Sequence, residues 1–218
     1  MKLSKNNFAT FGAEFLGTGI LVLMFMVLTQ TTAVSYFIAT SVAVAMAVIY
    51  MVFSGVSGGH ANPAVTFGLW TARKISSLRA IGYIVAQLLG GLAAWGIYQY
   101  LVDRALPKVT TTDFNWRVFV AEAIGAGIFT LAFAAVLSRR DDKLSSAATI
   151  GAAFFVGIMI ASLAARGLLN PAASLGISRF SLDWAYLLGP LAGGLVGVNL
   201  YTELFGNGAW LKAAKKKK

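Results

Sequence analysis

Two Asn-Pro-Ala tripeptides supply the side chains in this sequence that are best suited to binding a small polar molecule. They are Asn62-Pro63-Ala64 and, 108 positions later, Asn170-Pro171-Ala172. Asparagine caps the first turn of helices, and proline fits the first helical position because its missing N–H would have no partner there. Each tripeptide therefore predicts the start of a short helix. The side-chain NH2 groups could then donate hydrogen bonds to a neutral solute with oxygen acceptors.

The composition excludes several classes of protein. Hydrophobic residues make up 58% of the 218 residues, charged residues 12%, and the mean hydropathy is +0.74. These values lie outside the soluble globular range. With no cysteine and a single histidine, we expect neither a disulfide framework nor a metal site. We expect no catalytic residues and no cofactor, because no nucleophile–base set or phosphate loop is evident.

Six apolar segments are each near the ~20 residues that a helix needs to cross the hydrocarbon core. They cover about 8–29, 36–56, 78–102, 116–137, 145–164 and 184–205, and the short helices cover about 62–72 and 170–180. We interpret the first segment as a retained helix, because it lacks a small-residue cleavage site. Exposed backbone is not tolerated in hydrocarbon, so the breaks before the short helices must line a cavity or be buried in protein.

An internal repeat organises the chain. Ala13-Glu14-Phe15-Leu16-Gly17 returns as Ala121-Glu122-Ala123-Ile124-Gly125, at the same offset of 108. Each half therefore holds three spans and one short helix. Because three is odd, the halves have opposite orientations in the membrane, which defines an inverted repeat. We expect one all-α membrane domain over 1–218, with repeats at about 8–102 and 116–205 and a basic tail at 206–218.

The distribution of basic residues predicts the orientation. With the N-terminus inside, thirteen of the eighteen Lys and Arg residues fall in inner segments. This bias favours two cytoplasmic termini and argues against nucleic-acid binding as the reason for the net charge of +10. The N-termini of the short helices then meet near the midplane, each with roughly half a positive charge. Such a site disfavours a cation and suits water or another small neutral solute.

Together, the paired Asn-Pro-Ala motifs, the doubled Ala-Glu-x-x-Gly and the Gly-Gly-His-Ala-Asn-Pro-Ala-Val-Thr stretch resemble the aquaporin and aquaglyceroporin family. The resemblance covers nearly the whole chain and implies six transmembrane helices plus two re-entrant half-helices. It also implies a passive channel that assembles as a homotetramer in the plasma membrane. In that family, glutamates matching Glu14 and Glu122 brace the re-entrant loops, and we expect Gln87 and His60 to assist them.

One departure from the family concerns the outer constriction. The residue after the second Asn-Pro-Ala is nearly always arginine in the family, whereas here it is Ala173. The other constriction positions fall on Val42, Ile158 and Gly167, so all four lack a polar side chain. Arg166 could place a guanidinium in the mouth, but we favour a solvated loop arginine.

Several functions stay open at this point. The resemblance favours a water channel, because Ser174 stands where glycerol facilitators carry aspartate, Tyr186 stands where water channels carry an aromatic residue, and the loops are short. The neighbouring Leu187 is more typical of a glycerol-type pore. The nearest alternative is a broader facilitator for glycerol, urea, ammonia or peroxide. Rivals from other classes are a secondary transporter and a non-conducting membrane scaffold. Membrane lipid is the other expected partner, and we interpret the lysines at 215–218 as a topology anchor rather than a head-group site.

Overall fold

The computed structural model describes residues 5–32, 34–103, 113–139, 141–178 and 182–205. In these ranges the chain forms eight α-helices and no β-strand. They are α1 (Lys5–Thr31), α2 (Ser35–Ser57), α3 (Pro63–Thr71), α4 (Ser77–Val102), α5 (Trp116–Arg139), α6 (Lys143–Ala161), α7 (Pro171–Ile177) and α8 (Trp184–Leu204). Each half of the chain thus contributes two long helices, one short helix and a third long helix.

Five of the long helices, α1, α2, α4, α5 and α6, are long and apolar enough to cross a membrane. The remaining long helix, α8, spans 21 residues, which corresponds to about 30 Å. Its glycines, Pro190 and Asn199 lower its apolar character. Helix α8 packs along α5 more extensively than any other pair of helices in the structure. The predicted all-α membrane fold is confirmed, with α8 as its sixth long helix.

Both short helices are capped by asparagine. The Oδ1 atom of Asn62 accepts a hydrogen bond of 2.8 Å from the Ala64 amide, and α3 begins at Pro63. The Oδ1 atom of Asn170 accepts a hydrogen bond of 2.9 Å from the Ala172 amide, and α7 begins at Pro171. These bonds satisfy amides that have no partner within the helix. Both short helices therefore start at the Asn-Pro step.

Two helices end earlier than the sequence predicts. Helix α6 ends at Ala161 rather than near 164, because the amides of Leu163 and Ala164 bond to carbonyls only three residues back and the chain continues as turns. Helix α7 ends at Ile177, whereas the prediction extended to about 180. Residues 179–181 and the predicted basic tail at 206–218 lie outside the described residues.

Glycines allow the long helices to touch backbone to backbone. A Cβ atom on Gly90 of α4 would overlap the carbonyl oxygen of Phe15 on α1, and one on Gly193 of α8 would overlap that of Ala123 on α5. Small residues at these positions permit the close helix approach that stabilises bundles in lipid. The same arrangement therefore occurs once in each half.

Candidate functional site

The two Asn-Pro-Ala segments are joined directly to each other. The Nδ2 atom of Asn62 donates a hydrogen bond of 2.8 Å to the carbonyl oxygen of Leu169. The Nδ2 atom of Asn170 donates one of 3.0 Å to the carbonyl oxygen of Ala61. Each asparagine thus caps its own helix through oxygen and links to the opposite loop through nitrogen. The structure therefore brings the N-termini of α3 and α7 together in the protein interior.

The residues that precede the two asparagines have an unusual backbone conformation. Ala61 and Leu169 have φ angles of 47° and 51°, in the left-handed region that side chains other than glycine rarely adopt. Their amides donate to carboxylates, Ala61 to Glu14 Oε2 at 2.8 Å and Leu169 to Glu122 Oε2 at 2.7 Å. Each strained residue is thus held at both ends, by a carboxylate through its amide and by the opposite asparagine through its carbonyl.

Glu14 lies at the centre of a buried hydrogen-bond network. Its Oε1 atom accepts bonds from the Ser57 hydroxyl at 2.5 Å and the His60 amide at 3.0 Å. Its Oε2 atom accepts a further bond of 2.7 Å from the side-chain amide of Gln87. Four donors, counting Ala61, therefore surround a carboxylate that has no exposed surface. Burial of a charge is tolerable only with such compensation.

His60 and Gln87 extend this network through Thr66. The Thr66 hydroxyl lies 3.0 Å from Nδ1 of His60 and accepts a bond of 2.8 Å from Nε2 of Gln87. The His60 ring packs edge-on against Tyr83 and Phe133, with centroid distances of 5.3 Å and 5.8 Å. Sequence reasoning missed Ser57, Thr66 and Tyr83, whose partnership with Glu14 and His60 depends on contacts between different helices.

Glu122 has a simpler environment than Glu14. Its carboxylate oxygens accept bonds from the amides of Leu168 at 3.0 Å and Leu169 at 2.7 Å. Backbone amides are the donors found for it within the described part of the chain. The two halves therefore share the carboxylate-to-loop bonds, but they differ in the side chains around them.

The four predicted constriction residues are all buried. Val42, Ile158 and Ala173 belong to the same apolar core cluster, and Gly167 is packed against Ile158. Gly167 has a φ angle of 67°, and a Cβ atom on it would lie 2.9 Å from the carbonyl oxygen of Ile158. Arg166 is exposed instead, and its amide donates a bond of 2.9 Å to the Tyr186 hydroxyl. No polar side chain comes from these four positions.

The described residues contain no group of three His, Cys, Asp or Glu side chains that could hold a metal ion. The N-termini of α3 and α7 supply amide donors and two partial positive charges. This chemistry suits reversible contact with a neutral polar molecule.

Comparison with known proteins shows the family of this chain. Residues 2–201 match the family model described as major intrinsic protein. The chain belongs to the major intrinsic protein family. Relatives within it include Aquaporin TIP2-3 of Zea mays, 33% identical over 93% of this chain and 90% of the relative. Aquaporin Z of Photorhabdus laumondii is 30% identical over 78% of this chain and 83% of the relative.

Other relatives carry different names. Glycerol uptake facilitator protein-like 6 of Lactiplantibacillus plantarum is 33% identical over 84% of this chain and 92% of the relative. The X-ray structure of the aquaglyceroporin from Plasmodium falciparum superposes with a TM-score of 0.72 at 23% identity, covering 91% of this chain and 95% of that one. The fold is therefore that of an aquaglyceroporin. Major intrinsic proteins are membrane channels, so this chain is a channel for water or small solutes and not an enzyme.

Proposed function

We propose that this major intrinsic protein is a passive channel for water and other small neutral solutes, which pass in single file beside Asn62 and Asn170. The reciprocal bonding of these asparagines carries the proposal. A side-chain amide has two N–H groups, and each asparagine uses one on the opposite loop. Within the described part of the chain the second N–H of each asparagine has no acceptor, so it is available to donate to a passing oxygen atom.

The electrostatics of the site support a neutral permeant. Helices α3 and α7, of nine and seven residues, direct their N-termini towards each other and place two partial positive charges together. A cation would be repelled there. A water molecule that accepts from both asparagines would turn its own hydrogens away from the centre, which interrupts proton transfer along a water file.

The apolar outer positions favour a second candidate, a broader facilitator for glycerol, urea, ammonia or peroxide. Ala173 and Gly167 supply no charge and no side-chain donor, so they do not discriminate against solutes larger than water by hydrogen bonding. Relatives named as aquaporins and as a glycerol uptake facilitator are both present at similar identity. Glycerol and urea flux must therefore be measured as well as water flux.

We also propose roles for the other site residues, and the assembly and location of the protein. We assign Asn62-Pro63-Ala64 and Asn170-Pro171-Ala172 to the pore, and the buried polar residues Glu14, Gln87, His60 and Glu122 to loop bracing. The 218 residues would form one domain of two repeats and assemble as a homotetramer. The charge bias supports a plasma-membrane location with both termini in the cytoplasm.

Stopped-flow light scattering on liposomes that carry the purified protein tests the function. An impermeant osmolyte measures water flux, and a glycerol or urea gradient measures solute flux, with empty liposomes as the control. Non-saturating flux above the control supports a channel. Flux that saturates and shows counterflow would indicate a secondary transporter instead of a channel. Flux equal to that of empty liposomes would leave a non-conducting scaffold.

A further inference from the structure

A chain of aromatic side chains crosses the interior from the loop that precedes Asn62. Phe129 and Phe133 lie one turn apart on α5, with ring centroids 6.0 Å apart. Phe129 lies 4.7 Å from Phe154 of α6, and Phe154 lies 6.2 Å from Phe25 of α1. None of the four rings has any exposed surface. Three long helices from both halves therefore meet through these rings.

The position of these rings follows from their other contacts. Phe133 packs against the ring of His60, two residues before Asn62, and against Tyr50 of α2 at 5.8 Å. At the other end, Phe154 lies one helical turn before Ile158, one of the four proposed constriction residues. The rings thus extend between the first re-entrant loop and the outer constriction, where α1, α2, α5 and α6 face one another.

We propose that Phe129 and Phe154, with Phe25 and Phe133 behind them, form an aromatic seal that is the narrowest part of the permeation pathway. This inference rests on the proposed channel function and identifies the residues that set its rate and its solute cut-off. These residues are distinct from the four outer positions, and Phe154 precedes Ile158 by one helical turn.

Burial around the asparagines carries the inference. A pore open to water would leave surface on the side chains beside it, yet Asn62 and Asn170 are 1% and 0% exposed. The rings of Phe129 and Phe154 are equally buried, and they offer no hydrogen-bond partner. A permeant at this level gives up hydrogen bonds that the rings do not replace, as in hydrophobic constrictions that restrict flow by dewetting. Passage therefore requires the rings to move apart.

Smaller side chains at the seal test this role. Phe129→Leu and Phe154→Leu keep an apolar branched side chain but remove the aromatic width. Phe155→Leu is the matched control, because Phe155 is the next residue on α6, is only partly buried and packs against Tyr36 instead. Each variant is purified, checked for its thermal midpoint in detergent, and measured in liposomes at equal protein content.

The seal predicts that Phe129→Leu and Phe154→Leu increase water permeability by about tenfold, the effect of lowering a barrier by ~1.4 kcal/mol. Glycerol flux should rise by a larger factor, and Phe155→Leu should match the unaltered protein. Phe129→Trp, which widens the ring, should reduce flux below that of the unaltered protein.

The outcomes separate the inference from the channel function. If the unaltered protein conducts and both folded leucine variants conduct equally, the seal is overturned while the channel stands. An equal rise in Phe155→Leu would overturn it too, because general loosening of the bundle would then explain the gain. If neither the unaltered protein nor any variant exceeds empty liposomes, the proposed function itself fails, and the seal fails with it.

Discussion

The Nδ2 atom of Asn62 lies 2.8 Å from the carbonyl oxygen of Leu169, across 107 positions of sequence. This bond does two things at once. It fixes the orientation of the asparagine side chain, and it satisfies the carbonyl of a residue held in the left-handed conformation. The site is therefore held together by contacts between the two halves, and each half depends on the other for its shape.

Variants of Asn62 should separate the stability that comes from its helix cap from the stability that comes from its hydrogen bond to Leu169. Serine also caps helices but lacks the amide donor, so Asn62→Ser leaves the buried Leu169 carbonyl unpaired, at a cost of about 1–3 kcal/mol. Asn62→Ala should cost about 1 kcal/mol more, since the cap is lost as well. The thermal midpoint in detergent should fall from the unaltered protein to the serine variant and again to the alanine variant.

Asn115→Ser supplies the control for this series. Asn115 caps the start of α5 through its Oδ1 atom, is exposed and makes no such cross-link to another described residue. Its replacement by serine should leave the midpoint unchanged. An unchanged midpoint in Asn62→Ser would show that the cross-link contributes nothing to stability.

Close contact between helices α1 and α4 should make Gly90 intolerant of any side chain. The added methyl of Gly90→Ala meets the Phe15 carbonyl, a backbone group that cannot rotate away. We expect destabilisation of about 1–3 kcal/mol, typical of overpacking. Gly96 lies on the same helix with nothing within 4 Å of the added atom, so Gly96→Ala should leave the thermal midpoint unchanged or raise it slightly, because alanine favours the helix more than glycine does. Equal thermal midpoints for the two variants would contradict this account.

Local chemistry made several elements predictable from sequence. The Asn-Pro steps predict the starts of α3 and α7, because cap and first-turn preferences act within a few residues. The long helices follow from apolar length alone. The apolar composition of α8 is a weaker signal, because its glycines pack against α5 and α3.

Other features of the site depend on residues distant in sequence and could not be predicted. Ala61 and Leu169 adopt positive φ angles that neither residue type favours, and only their bonds to carboxylates and asparagines explain them. No spacing along the chain indicates Ser57, which donates to Glu14 from the end of α2. The aromatic rings of α5 and α6 likewise resemble ordinary apolar residues until their contacts are known.

The different surroundings of Glu14 and Glu122 predict unequal responses to amide substitution. In Glu14→Gln, the new NH2 displaces one backbone amide, that of His60 or Ala61, but it can still donate to the Ser57 hydroxyl or, after the Gln87 amide turns over, to Oε1 of Gln87. In Glu122→Gln, the new NH2 faces a backbone amide that cannot reverse. An unpaired buried donor costs about 1–3 kcal/mol. Glu122→Gln should therefore lower the thermal midpoint more than Glu14→Gln, and the reverse order would refute the argument.

The start of α6 predicts a dependence of stability on pH. Hydrogen bonds from Ser145 hold the pKa of the Asp142 carboxyl below its usual value of about 3.9. A depressed folded-state pKa means that the ionised cap stabilises the helix above the unfolded value and that this stabilisation is lost as pH falls through the lower pKa.

Asp142→Ala should accordingly lower the thermal midpoint at pH 7. In strong acid the midpoints of the variant and of the unaltered protein should become equal. Asp141→Ala is the control, because the Asp141 side chain does not cap α6. A midpoint difference that stays constant from neutral to acidic pH would exclude a role for the charged cap.

The outer constriction yields a prediction about selectivity. Ala173→Arg introduces a charge and a rigid set of donors at a buried position beside the Asn170 cap. Glycerol flux should fall more than water flux, because the guanidinium narrows the passage and still offers hydrogen bonds to water. Ala164→Arg adds the same charge to an exposed turn after α6 and should leave both fluxes unchanged. If Ala173→Arg reduces neither flux while it remains folded, residue 173 does not lie beside the pathway, and the assignment of the outer constriction fails.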